Sequence, residues 1–183
     1  MIIFVIVIQP VNVKFHVVNA SLSEFNFITN TTTIVYNLSI EARVRNPNKK
    51  IGYYYHRIDA KAFYEKKQFA YIILSDRFYQ GHKNTTMLRI LFKGNSSIPL
   101  RGSKLEGFSR KFDKAKSNGA FNIYIRFGVR SRYKIGNYKS SYSKPKIHCG
   151  LRVPLLTNGT STVFFCTTTC DVGSPLAMDD GEE

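Results

Sequence analysis

Three cysteines, four histidines, six Asn-x-Ser/Thr triplets and a strip of arginines are the residues in this chain whose types and spacing could do chemistry. The histidines, His16, His56, His82 and His148, stand far apart, and none has the Cys/His spacing of a zinc site. No Gly-x-x-x-x-Gly-Lys phosphate loop and no Gly-x-Ser-x-Gly nucleophile elbow occurs. Twelve acidic residues accompany twenty-seven basic ones, and five of the twelve fall at or beyond Asp171. Few carboxylates are left for acid–base or metal chemistry, so neither an enzyme nor a cofactor or metal site is expected. Gln80-Gly81-His82-Lys83 reads as a tight turn with solvated polar side chains.

The triplets at Asn19, Asn30, Asn37, Asn84, Asn95 and Asn158 all fit the N-glycosylation acceptor without proline. Asn30, Asn84, Asn95 and Asn158 are expected in loops, and Asn37 on the polar face of a strand. Asn46 is no acceptor, because Pro47 follows it. The cysteines bear on the same question of compartment. Cys166 and Cys170, four apart in one predicted strand, would stand about 13 Å apart and cannot bond while that strand is extended. Cys149 is then the shared candidate. A hairpin turning at residues 157–160 brings it beside residue 168 or 170, within one register step of either partner. Three reduced thiols, as in a cytosolic protein, are the other alternative.

Arg126, Arg130, Arg132 and Lys134 share one face of a predicted strand, and Tyr133, Tyr138 and Tyr142 interleave with Lys139, Lys144 and Lys146 beyond it. Cations tracking a polyanion beside aromatic platforms are what single-stranded nucleic acid binders use. A solvated outer sheet face protected against edge pairing has the same composition. The net charge of +15 attracts nucleic acid, anionic membrane or acidic polysaccharide alike. No aromatic-glycine ribonucleoprotein motif is visible, which makes nucleic acid the least expected partner.

Positioning these residues falls to strands. The 183 residues suffice for one domain with a real core, and 43% hydrophobic with 14% aromatic content excludes disorder for most of the length. Alternation with period two runs through Ile34, Tyr36, Leu38, Ile40, Ala42 and Val44, again through residues 58–64 and 87–92, and through Phe121 to Ile135. Residues 69–74 read as a short run covered on both sides, residues 147–153 as a further strand, and residues 163–172 as the last. One helix is expected near residues 103–116. About seven strands with at most one short helix predict a mainly β fold, an antiparallel β-sandwich of the immunoglobulin or fibronectin-III kind. The acidic stretch 173–183 is expected to be a disordered tail. Residues 1–8 are apolar, but eight helical residues rise only about 12 Å against a bilayer core of about 30 Å.

Two strings carry more than turn chemistry. Asn46-Pro47-Asn48-Lys49-Lys50-Ile51-Gly52-Tyr53-Tyr54-Tyr55 must end a strand at the proline and bend, asparagine and glycine tolerating left-handed backbone. Phe78-Tyr79-Gln80-Gly81-His82-Lys83-Asn84-Thr85-Thr86 follows. With Pro10, Phe15-His16-Val17, the basic strand 126–136, Cys149 and Cys170-Asp171-Val172, they run in order over residues 9–172. The chain thereby resembles the plant harpin-induced and non-race-specific-disease-resistance-like family, whose outer domain is the second late-embryogenesis-abundant type.

The resemblance implies a sandwich domain over residues 13–172. It implies that residues 1–9 are the remnant of a membrane anchor, where pattern alone equally allows a buried first strand. It favours Cys149 paired with Cys170. It implies a non-enzymatic role at the plasma membrane, with the domain on the extracellular side and acidic wall polysaccharide or anionic lipid as partner. A soluble, cytosolic desiccation-protective protein is the alternative, and an RNA-binding module the third.

Overall fold

The computed structural model describes residues 10–74 and 76–173. The apolar stretch 1–9 and the acidic tail beyond Gly173 lie outside the described residues. In chain order the described elements are β1 (Lys14–Ile28), β2 (Thr33–Arg45), β3 (Gly52–Tyr64), β4 (Lys67–Leu74), β5 (Phe78–Gln80) and β6 (Thr85–Ser97). They continue with α1 (Gly102–Asn118), β7 (Ala120–Ile135), β8 (Tyr138–Lys139), β9 (Lys146–Pro154), β10 (Thr168–Thr169) and β11 (Asp171–Val172).

Two antiparallel sheets form the sandwich. The smaller has the order β10-β1-β2-β6. The larger runs β11-β9-β7-β3-β4, with β5 attached to β3 and β8 to β7. Alternation dictates the layers. Ile34, Leu38, Ile40, Ala42 and Val44 of β2 face Phe121, Ile123, Ile125, Phe127 and Val129 of β7 across one buried core, while the intervening polar side chains point out.

Helix α1 closes one end. Its polar face stays wet, and Phe108 and Phe112 enter a cluster of rings with Phe25, Phe27, Tyr64 and Phe121, centroids 4.7–5.9 Å apart for most pairs. Burial there pushes the Tyr64 hydroxyl up to about 12. The helix stops at Gly119, whose left-handed φ of 74° lets its N–H reach back to the Lys116 carbonyl.

Three expectations need correction. Residues 163–172 do not make one strand: β10 pairs with β1 in one sheet and β11 with β9 in the other, so the chain must cross between sheets at Cys170. Such a crossing divides the ladder into two-residue pieces, and with other short pieces raises the strand count above seven. Residues 69–74 are not covered on both sides, because β4 is a sheet edge and exposes Tyr71 and Ile73. Asn95 lies in β6, paired with Val35, and not in a loop.

Candidate functional site

The Asn-Pro-Asn turn is an interior lock. Asn46 is fully buried, and its Nδ2 donates to the carbonyls of Ile51 at 2.7 Å and Gly81 at 3.0 Å. Its Oδ1 accepts from the backbone N–H of Asn48 at 3.1 Å and from Asn48 Nδ2 at 2.9 Å. Asn48, also buried, grips the leading segment on both sides: its Nδ2 donates to the Val11 carbonyl and its Oδ1 accepts from the Val11 N–H, each at 2.8 Å. Gln80 is fully buried as well, donating to the Val44 carbonyl and to Thr86 Oγ1, and accepting from the Tyr55 hydroxyl.

These residues sit where the chain passes from the smaller sheet to the larger, and the backbone groups freed by that passage need partners. The expectation that this bend exploits left-handed asparagine and glycine is therefore wrong, as is the solvated reading of Gln80, although Lys49 and Lys50 do stay exposed. Neither Asn48 nor Gly52 has positive φ, whereas Lys83 does, at 56°. Gly52 makes room for the Tyr79 ring end, which would have to shift to admit a Cβ there. The motif residues Asn46, Pro47, Asn48, Gly52, Tyr55, Gln80 and Gly81 thus hold the framework. Phe78 stacks on Tyr55 with centroids 4.6 Å apart, and Tyr54 and Tyr79 turn their rings outward together at the same separation.

Cys149 and Cys170 are joined in a disulfide, and Cys166 is an exposed thiol. The bond pins the crossing segment to β9 between two short ladders. Next to it the His148 ring is buried, with the Tyr124 hydroxyl on its Nδ1. Burial lowers its pKa from the ordinary 6.5; the Gly173 backbone and Asp171 oppose this, and Arg126 and Lys146 add to it. A histidine held neutral when folded but free to protonate when unfolded contributes stability above pH 6.5 and loses it as pH falls toward the folded value. The melting midpoint should therefore drop between about pH 7.5 and pH 5.5. His148→Gln should flatten that drop; an unchanged slope would assign the acid sensitivity elsewhere.

Five of the six sequon asparagines, Asn19, Asn30, Asn84, Asn95 and Asn158, are exposed, and Asn37 is half-buried. Their distribution is one-sided. Asn19, Asn37 and Asn95 lie in strands of the smaller sheet, and Asn30, Asn84 and Asn158 in connections. None falls in the seven strands of the larger sheet.

The outer face of that larger sheet carries the cation strip. Arg126, Arg130, Arg132 and Lys134 alternate with buried residues along β7, as expected, and β3 adds Arg57 and Lys61 beside them. Lys139, Lys144 and Lys146 extend the patch. Tyr142 joins it, but Tyr133 does not: its odd position in β7 turns it inward, against the cleft lined by Tyr53 and Phe15. A groove of about 410 Å³ opens over Gly128 between Arg57, Lys61, Arg126, Arg130, Lys144 and Lys146. Asp59 is the carboxylate among its lining residues, accepting from the Gly128 N–H at 3.1 Å with Arg57 at 3.7 Å. Gly128 keeps this arrangement open, since a Cβ would lie 2.4 Å from Asp59 Oδ1. The β3 half of the patch was foreshadowed only by the alternation of residues 58–64. Cross-strand pairing of Asp59 with Gly128 and Lys61 with Arg126 merges the two halves.

Among the described residues no cluster of metal-ligating side chains occurs, and no helix is long and apolar enough to cross a membrane. The arrangement offers charge, rings and hydrogen-bond donors. Such a set of groups is chemically suited to an anionic ligand.

The family model described as late embryogenesis abundant protein matches residues 41–136, which include the Asn46, Asn48 and Gln80 lock and the whole basic strand. NDR1/HIN1-like protein 10 of Arabidopsis thaliana is 44% identical over 162 residues, covering 87% of this chain and 69% of that protein. NDR1/HIN1-like protein 3 of the same plant is 36% identical over 91% of this chain and 70% of its own length, and NDR1/HIN1-like protein 2 is 32% identical over 91% and 68%. With a family model covering more than half of the chain and relatives at this identity, the chain belongs to the NDR1/HIN1-like family and carries its late-embryogenesis-abundant type-two domain.

Proposed function

We propose that this plant defence- and stress-related protein works by binding and not by catalysis, as a domain held at the outer side of the plasma membrane. Its binding surface is the outer face of the larger sheet, and its ligand is an extracellular polyanion. Acidic wall polysaccharide is the leading candidate, and anionic lipid headgroups present the same charge. The observation that carries this reading is the segregation of the two faces. Cations from β3, β7 and the strands beside them converge around a single carboxylate, while all six sequons lie elsewhere. Glycans on those asparagines would leave the basic face bare. The disulfide fits an oxidising compartment, which favours this reading over a cytosolic desiccation protectant or an RNA-binding module.

Reversing Arg126, Arg130 and Arg132 to glutamate tests it. These side chains lie on the outer face, so the variant should fold while losing retention on immobilised polygalacturonate. Binding by the unaltered protein should weaken steeply with salt, because the Debye length is only about 8 Å at physiological ionic strength. A companion sample from plant membranes should lose apparent mass on enzymatic removal of N-glycans. Full retention by a folded triple variant refutes the surface, and an unshifted mass with all six sites intact refutes the topology.

A further inference from the structure

The outer face holds more than charge. Its rings and cations are ordered in a row from Tyr79 through Tyr54, Arg132 and Tyr142 to Arg130. The Tyr79 and Tyr54 rings lie 4.6 Å apart, and Arg132 sits 5.7 Å from Tyr54 and 5.0 Å from Tyr142. Arg130 is 4.6 Å from Tyr142 and also borders the groove over Gly128. Tyr142 is held in place. Ser131 and Ser143 exchange two backbone hydrogen bonds at 2.8 Å and 3.0 Å, and the Tyr142 hydroxyl meets His56 Nε2 at 2.7 Å. Tyr79 and Tyr142 are still 49% and 39% exposed, so each ring has surface left for a ligand. Arg132 Nε is buried with no hydrogen-bond partner among the described residues.

Attracting a polyanion requires charge alone, and rings ordered between the cations add nothing to it. They matter for a ligand that itself alternates apolar ring faces with anionic groups. The row crosses the strands, Tyr79 of β5 pairing with Tyr54 of β3 and Tyr54 with Arg132 of β7, so its members follow the interstrand spacing of about 4.8 Å, which is the scale of linked sugar rings. A bilayer offers headgroup charges in a plane and no succession of ring faces. A polymer of uronic-acid sugars offers both, with one carboxylate on each ring. Single-stranded RNA offers bases and phosphates, but six sequons and a disulfide favour a compartment without it.

We infer that this row is a track for one chain of uronic-acid sugars: Tyr54, Tyr79 and Tyr142 stack on sugar faces, while Arg132 between Tyr54 and Tyr142 and Arg130 beyond Tyr142 hold carboxylates. The inference rests on reading the face as a polyanion surface, and it names the ligand class. Its test uses variants that leave the charge alone. The full chain, Tyr54→Ala/Tyr142→Ala and Tyr142→Phe are titrated at one ionic strength with galacturonic-acid oligomers, inorganic polyphosphate and polyuridylate. The double variant should bind the oligomers about tenfold more weakly, equivalent to about 1.4 kcal/mol, and polyphosphate within about twofold of the unaltered protein. Tyr142→Phe, which keeps the ring and loses only the hydroxyl hydrogen bond to His56, should bind the oligomers normally. Equal losses on the oligomers and polyphosphate, or no loss on either, overturn the track, as does tighter binding of polyuridylate than of the oligomers by the unaltered protein. The arginine reversal fails separately: retention by that variant removes the whole face, whereas a failed tyrosine test removes only the ring-by-ring recognition.

Discussion

Asn46→Ala should destabilise the domain by about 3–4 kcal/mol, from two or more orphaned buried groups at 1–3 kcal/mol each. The substitution removes a side chain that makes four hydrogen bonds in a fully buried position. It leaves the Ile51 carbonyl and the Asn48 N–H without that partner, and the Gly81 carbonyl with the Asn84 N–H at 3.4 Å. Asn46→Asp should be no milder. It retains the acceptor facing Asn48 but points carboxylate oxygen at two carbonyls, and burying that charge is costlier still. Urea unfolding followed through the tyrosines gives the measurement, with the midpoint falling at unchanged slope. A loss below about 1 kcal/mol would mean that water replaces the amide and that the lock is local decoration.

Cys149→Ser and Cys170→Ser should each lower the stability of the oxidised protein by about 3 kcal/mol in the chain-entropy model, because either opens the same loop of 21 residues. Cys166→Ser should stay within about 0.5 kcal/mol, being a surface change. The crossing segment has little else to hold it, since β10 and β11 contribute two residues each. Peptide mapping of the unreduced protein should recover Cys149 linked to Cys170. A Cys149–Cys166 linkage, or a loss for Cys166→Ser as large as the other two, would contradict the pairing.

What was legible in the sequence is what local periodicity encodes. β2, β3, β6, β7 and β9 follow from alternation, α1 lies within two residues of its expected span at either end, and Asn46-Pro47 ends β2 at Arg45. The two-sheet sandwich follows from the same pattern. The buried lock was not legible. Asparagine, glutamine and lysine in a turn have the same composition whether the amides face water or the interior, and only the pairing of β5 with β3 draws Gln80 inside. Tyr133 and Tyr142, nine apart and each within two residues of a lysine, read alike until strand parity sends one inward and a serine-held loop sends the other out. The basic strip was visible on β7 but not its continuation on β3, because register is a long-range property. The groove over Gly128 needed that register as well. Cys170 was readable as a partner of Cys149 through the family pattern, whereas strand geometry alone left Cys166 equally eligible.

The grip of Asn48 on Val11 has a mechanical side. A pull on the chain at residue 10, with the domain held by its larger sheet, meets the paired Val11 bonds first and passes through Asn48 and Asn46 to Ile51, at the threshold of β3. The remaining load runs along β1, whose ladder with β2 extends from Lys14 to Ile28. Tension along a strand's own axis strains its cross-strand bonds together and does not peel them one by one. Traction from the N-terminal side therefore meets the sandwich along its stiff direction, with Asn48 as the coupling that shares the force between the two sheets.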